Sequence, residues 1–226
     1  MLSIRFQGRD QSQFGLWSNL LALRYTSAMT SRTTPEVYII ETLDVADEEH
    51  RREGEVIRRV LAMAGMAPRY RYVRTARELE HFAQDFTDSG YRYLHISCHG
   101  NIGLFGLTLD TLTDTEFADI IGPHLNQKRL FLSTCLATTP SFAQLVFDRS
   151  SCFSVAGPVK SIDFTDAALF WSTFYHLMFK ESRRLMQKNA ILQNIERAAT
   201  CIGEPIRLFT RSVNNTPVPR IFPAKP

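Results

Sequence analysis

The feature that most constrains this chain is a series of short apolar runs separated by segments of helical periodicity. Residues 37–43 are β-branched and nearly continuous in apolar side chains, as a buried parallel strand must be, and 91–98, 129–134 and 152–156 read as further strands. Residues 70–73 read as a shorter strand of the same series. Between them the spacing predicts helices. Residues 48–64 carry Val56, Ile57, Val60, Leu61 and Ala64 along one face, with Gly65 and Pro68 positioned to end the helix. Thr75-Ala76-Arg77-Glu78 and Thr113-Asp114-Thr115-Glu116 are capping boxes, opening helices that would bury Leu79, Phe82 and Phe86, and Phe117, Ile120 and Ile121. Pro140 starts another helix beneath Phe142, Leu145 and Val146. Gly157-Pro158 is expected to break the strand at 152–156, and two further helices are expected over about 165–180 and 187–199.

Parallel strands can be joined only by crossovers, and helices of this length supply them. The expected fold class is therefore α/β, a mostly parallel sheet with helices on both faces. Three parts are expected: residues 1–36 as an N-terminal extension packing on the core, 37–210 as the domain, and 211–226 as a Pro-rich C-terminal tail or an edge strand. A chain of 226 residues buries enough surface to need no disulfide or metal staple. Its net charge of +3, with both signs interspersed, gives no electrostatic case for nucleic acid or an anionic membrane as partner. The four cysteines form no CxxC pair and read as reduced thiols, so a cytoplasmic location is expected.

In an open parallel sheet, chemistry gathers beyond the carboxyl ends of the strands. One predicted strand ends on His99-Gly100 and the next on Cys135. If the two strands are neighbours, imidazole and thiol share one rim, and the imidazole can generate the thiolate. Gly100 brings its backbone close to a substrate, so its N–H and that of Cys135 are candidate oxyanion donors. Cys98 falls on the opposite face of its strand from His99 and reads as a core thiol; His95 shares the His99 side. Cys98, His99, Cys135 and Cys152 lack metal-ligand spacing, so neither a metal nor any other cofactor is expected. Gly100, Gly103 and Gly106 match no phosphate-binding loop, which argues against a nucleotide-binding domain.

Leu94-His95-Ile96-Ser97-Cys98-His99-Gly100 resembles the apolar run ending in His-Gly of the caspase-like peptidases of clan CD. Leu130-Phe131-Leu132-Ser133-Thr134-Cys135 resembles their second block, a strand ending on the catalytic Cys. The intervening hairpin and helix, and the segment from Val155 through Asp163 to Tyr175, are similar to the CHAT subgroup. The resemblance implies a caspase-like sheet and an endopeptidase with His99 as acid/base and Cys135 as nucleophile, acting through a thioester on a protein or peptide substrate. It also implies that Asp163 and Asp166, after the strand at 152–156, favour cleavage after a basic residue. Ser133 departs from the pattern, since many basic-specific relatives carry Asp two residues before the catalytic Cys. With no evident prodomain, control is expected from an activating protein, a small-molecule signal or homo-oligomerisation, and analogy suggests bacterial stress or antiviral defence. The rival reading is a catalytically silent module of the same fold that binds a partner protein or a small signalling molecule.

Overall fold

The computed structural model describes residues 33–184 and 186–223; most of the expected N-terminal extension, residues 1–32, lies outside them. Strands β1 (Thr34–Glu41), β2 (Arg69–Tyr72), β3 (Tyr91–Ser97), β7 (Arg129–Ser133), β8 (Ser154–Pro158), β9 (Ile206–Arg211) and β10 (Pro217–Phe222) make one sheet. A second, three-stranded sheet holds β4 (His99–Asn101), β5 (Leu104–Gly106) and β6 (Thr111–Thr113). The helices are α1 (Glu53–Met63), α2 (Ala76–Ser89), α3 (Asp114–Ile121), α4 (Pro140–Arg149), α5 (Phe164–Glu181) and α6 (Lys188–Ile202).

The large sheet runs β10-β9-β8-β7-β3-β1-β2. Strands β2, β1, β3, β7 and β8 run parallel to one another, and β9 and β10 close the β8 edge with antiparallel pairings. Strand side chains alternate between faces, and two cores follow. Val37, Ile39, Tyr93 and Phe131 face α1, α5 and α6, where Ile57, Trp171, Phe174, Tyr175 and Ile195 meet them. Tyr38, Ile40, Leu94, Leu130 and Leu132 face α2, α3 and α4, against Leu79, Phe86, Phe117, Phe142 and Val146. The fold class is the one expected: a mostly parallel sheet covered by helices on both faces. Both capping boxes form, with Thr75 and Thr113 accepting from the backbone N–H of Glu78 and Glu116.

Several local expectations change. Helix α1 begins at Glu53 rather than at residue 48, because 44–51 turns tightly on the carbonyls of Asp44 and Asp47 before Glu53 enters the core. Its buried face is Gly54, Ile57 and Leu61, and Val56 points outward, 46% exposed. Strand β8 continues through Gly157-Pro158 instead of breaking there. It pairs with β7 only as far as Ala156, so the missing N–H of Pro158 interrupts no ladder on that side. A Cβ on Gly157 would overlap the Thr138 hydroxyl and crowd the Leu132 carbonyl at 2.8 Å, which explains a glycine in that strand. The Pro-rich end is no free tail over 217–222: it is the outermost strand, where prolines can turn their donorless side away from the sheet.

Candidate active site

Strands β3 and β7 are neighbours, paired in register from Tyr93↔Arg129 to Ser97↔Ser133. His99 and Cys135 each stand two residues beyond that last pair, so they leave the sheet at matching heights on one rim. The chain then departs differently on the two strands. His99 opens β4 of the small sheet, pairing with Gly106. After Cys135 the backbone makes a γ-turn: the Ala137 N–H donates to the Cys135 carbonyl at 2.7 Å, and Leu136 between them has φ of 57°. A left-handed leucine in so tight a turn is strained. The turn ends β7 and leads the chain into α4, capped by the Thr139 hydroxyl.

His99 and Cys135 line one cavity of about 50 Å³, together with Glu53, Ser97, Cys98, Ser133, Thr134, Ile162, Phe164 and Ala167. The Cys135 thiol donates to the Ile162 carbonyl at 3.7 Å. The Phe164 ring meets the His99 imidazole edge-on, with centroids 5.5 Å apart. His99 Nε2 lies 3.1 Å from Asp47 Oδ2 and 3.6 Å from Asp44 Oδ2. Asp47 is the more enclosed of the two carboxylates, with its side chain 17% exposed against 65% for Asp44. The donor atoms of Asp44, Asp47 and His99 lie within 4.8 Å of one another, a spacing that one cation could bridge.

Gly100 touches the rim itself. A Cβ there would overlap the Thr134 hydroxyl and stand 3.0 Å from the Cys135 carbonyl, so β4 can pass this close to β7 only as glycine. Ser133 turns inward, and its hydroxyl donates to Glu53 Oε2 at 2.9 Å. The Ser97 hydroxyl donates to the same oxygen at 3.2 Å. Asp163 occupies the N-cap position of α5 without a side-chain cap bond. It lines, with Asp166 and Glu53, an adjoining open groove of about 710 Å³. The small cavity is thus walled by Glu53 and not by the two aspartates. Cys98 is buried, and burial pushes its thiol up to about 12. His95 is fully buried against α5, its Nδ1 3.0 Å from the Tyr175 hydroxyl.

Two acids at the site were missed by sequence reasoning, Asp47 and Glu53. Asp47 lies in the connection between β1 and α1 and Glu53 opens α1, whereas residues 48–64 read as one unbroken helix in sequence. The signal that could have revealed them is Asp44 and Asp47 just beyond the carboxyl end of a buried strand, the region where ligands gather.

No family model matches the sequence, and no curated protein matches it. Solved structures do. A secreted C11 cysteine protease from Bacteroides thetaiotaomicron, in complex with an irreversible peptide inhibitor, aligns with a TM-score of 0.52 at 8% identity. The alignment covers 78% of this chain and 66% of that chain, just under two thirds of its length. Caspase-1 from Spodoptera frugiperda aligns with a TM-score of 0.49 at 14% identity, over 84% of this chain and 86% of that one. At such identities the likeness to the C11 structure bears on the fold, and the fold is caspase-like. Among the described residues no helix is long and apolar enough to cross a membrane.

Proposed function

We propose that this chain is a caspase-like cysteine endopeptidase of the CHAT kind. The observation that carries the reading is the matched departure of His99 and Cys135 from neighbouring strands into one cavity. In this reading His99 accepts the thiol proton of Cys135, and the thiolate attacks the peptide carbonyl carbon. The developing oxyanion is held by the N–H groups of Gly100 and Cys135. His99 returns the proton to the departing amine, leaving a thioester, and water then releases the acid and restores the thiol. Asp47, 3.1 Å from His99 Nε2, orients the ring, so that Nδ1 is the nitrogen that exchanges the proton with Cys135. Acidic side chains at the site, Asp163 and Asp166 in the groove and Glu53 in the cavity, support cleavage after a basic residue. Free thiols at Cys98, Cys135, Cys152 and Cys201 fit a reducing compartment, and so the cytoplasm.

The cavity is small, and the Cys135 thiol is engaged by Ile162, which supports an enzyme closed at rest. A partner protein, a small-molecule signal or self-association would open it; a role in stress or antiviral defence rests on analogy with the CHAT group. The same closed cavity favours the second reading, a silent module that binds a partner or a signalling molecule. A digest of a peptide library by the full chain, beside Cys135→Ala, separates the two. Cleavage lost in the variant supports the peptidase; cleavage that persists unchanged in Cys135→Ala refutes it.

A further inference from the structure

The large sheet has a second end, opposite the rim that carries His99 and Cys135. Arg129 opens β7, Phe153 leads into β8, and Thr210 and Arg211 finish the antiparallel β9, so three strands converge there. The length of β7, roughly 13 Å, separates Arg129 from Ser133 at the other end. A pocket of about 390 Å³ opens at this second end. Arg129, Lys188 and Arg211 line it, with the Phe153 ring and the Thr210 hydroxyl, and no acid does. Among the described residues no carboxylate forms an ion pair with any of the three cations. Like charges gathered without a counter-charge repel one another and focus a positive potential in the pocket.

Both guanidinium groups are held in place. Arg211 donates from Nε to the Cys152 carbonyl at 3.3 Å and from Nη2 to the carbonyls of Phe147 and Ser150, and it lies over the Phe147 ring. Its Nη1 has no hydrogen bond among the described residues. Arg129 donates from Nη1 to the Ser154 hydroxyl at 2.9 Å and lies over the Phe153 ring; among the described residues its Nε and Nη2 have no acceptor. Carbonyls and hydroxyls orient a guanidinium but leave its charge unneutralised. Burial draws the Arg129 group below its ordinary pKa. Lys188 is the first residue of α6, whose N-cap Gln187 makes no side-chain cap bond, so the positive end of that helix lacks an acceptor from its own cap.

We infer that this pocket binds a small anion carrying linked phosphate groups, with Arg129 and Arg211 forking onto phosphate oxygens and Lys188 completing the charge. Planar guanidinium forks match phosphate oxygens in bidentate pairs. A single phosphate group carries only about −1.5 to −2 near neutral pH, so three cations fit a di- or triphosphate better. The volume lies in the range of small-molecule pockets. It can take a free oligophosphate or the oligophosphate of a larger metabolite, for whose apolar part the half-exposed Phe153 ring is a wall. Binding there requires nothing of the peptidase reading.

The test is calorimetric titration of the full chain at about 150 mM salt, where weak surface attraction is screened. The probes are tripolyphosphate, orthophosphate, citrate and magnesium-free adenosine triphosphate. Tripolyphosphate should bind at one saturable site, roughly 10-fold or more tighter than orthophosphate or citrate. Adenosine triphosphate binding the tighter of the two triphosphates assigns the site to a nucleoside triphosphate, and binding the weaker assigns it to the free oligophosphate; both support the inference. Arg129→Gln and Lys188→Gln should each weaken tripolyphosphate roughly 10-fold, whereas Arg77→Gln, exposed on α2, should not. In the parent chain, saturating tripolyphosphate should protect Lys188 from an amine-acetylating reagent, read by mass spectrometry, so a misfolded variant cannot shelter the proposal. No saturable binding, citrate binding as tightly as tripolyphosphate, or an unprotected Lys188 overturns it. Unchanged affinity in folded Lys188→Gln overturns it as well.

Discussion

Replacing Asp47 should slow turnover while leaving substrate affinity in place. In the proposed mechanism His99 gains the Cys135 proton, so its attraction to Asp47 is strongest in the transition state. Asp47 Oδ2 sits 3.1 Å from Nε2, with the two side chains 17% and 34% exposed. A hydrogen bond to a charged group contributes about 1.5–3 kcal/mol, and the partial exposure of His99 argues for the lower end. About 1.5–2 kcal/mol corresponds to a fall in kcat of roughly 10- to 30-fold. Asp47→Asn keeps an acceptor and should lie near the smaller loss, Asp47→Ala near the larger. Asp44 is 3.6 Å away and 65% exposed, so Asp44→Asn should cost no more than about 2-fold. Asp47 also pairs with Arg51 at 3.4 Å, an exposed contact whose loss should barely touch stability. The assay is kcat and KM on the best peptide from the library, with thermal melting as a control and formate added to Asp47→Ala to restore the missing carboxylate. Unchanged kcat in Asp47→Ala, a loss confined to KM, or no recovery with formate would refute the role of Asp47.

Three further outcomes follow from the same structure. Burial holds the thiols of Cys98 and Cys152 up at about 12 and about 11, so brief iodoacetamide treatment at pH 7.5 should modify Cys135 and the exposed Cys201 only; mass-spectrometric mapping that finds Cys98 or Cys152 modified in folded protein contradicts this. Glu41 is raised by burial from 4.5 to about 7, against the opposing pull of the Tyr70 hydroxyl and the Gly54 N–H. The folded chain then binds this proton more tightly than the unfolded one, so the contribution of Glu41 to stability is greatest below about pH 4.5 and is lost as pH rises toward 7. The span is about 3 kcal/mol, and Glu41→Gln should remove that slope from urea unfolding curves taken between pH 5 and 8; parallel curves for the two proteins refute it. Gly100→Ala should cost about 1–3 kcal/mol of stability and abolish turnover, because the new methyl overlaps Thr134 and pushes β4 away from Cys135; a melting temperature equal to the parent's would show that the close approach is not required.

The sheet could be read in advance because its parallel strands are buried on both faces, and such strands must be written as continuous apolar runs. The capping boxes at Thr75 and Thr113 were equally plain, since both partners of each box lie within four residues. What escaped reading depended on contacts between distant segments. Val56 matches a helical stripe, but which stripe faces inward is decided by Glu53 and Gly54 packing under β1 and β3, as the Gly54 N–H donating to Glu41 at 2.6 Å illustrates. Strand β9 follows so closely on the helix-ending Gly203 and Pro205 that its six residues, Ile206 to Arg211, carry little local signal of their own. At the site, His99 and Cys135 stand out as strand-end residues, while Asp163 and Asp166 enter only through the resemblance and line the adjoining groove.

The connection after β1 changes how such a site should be understood. Two strand ends, β3 and β7, deliver the imidazole and the thiol, but neither strand supplies a carboxylate. The third strand end does so twice within ten residues: Asp47 reaches His99 from one side, and Glu53 enters beneath Ser97 and Ser133 from the other. The residues between them carry the tight turn that delays the start of α1. The cost of that delay is an uncapped helix, since Arg52 at the N-cap makes no side-chain cap bond. A single short segment next to β3 thus sets two carboxylates at the rim, one on His99 and one in the cavity.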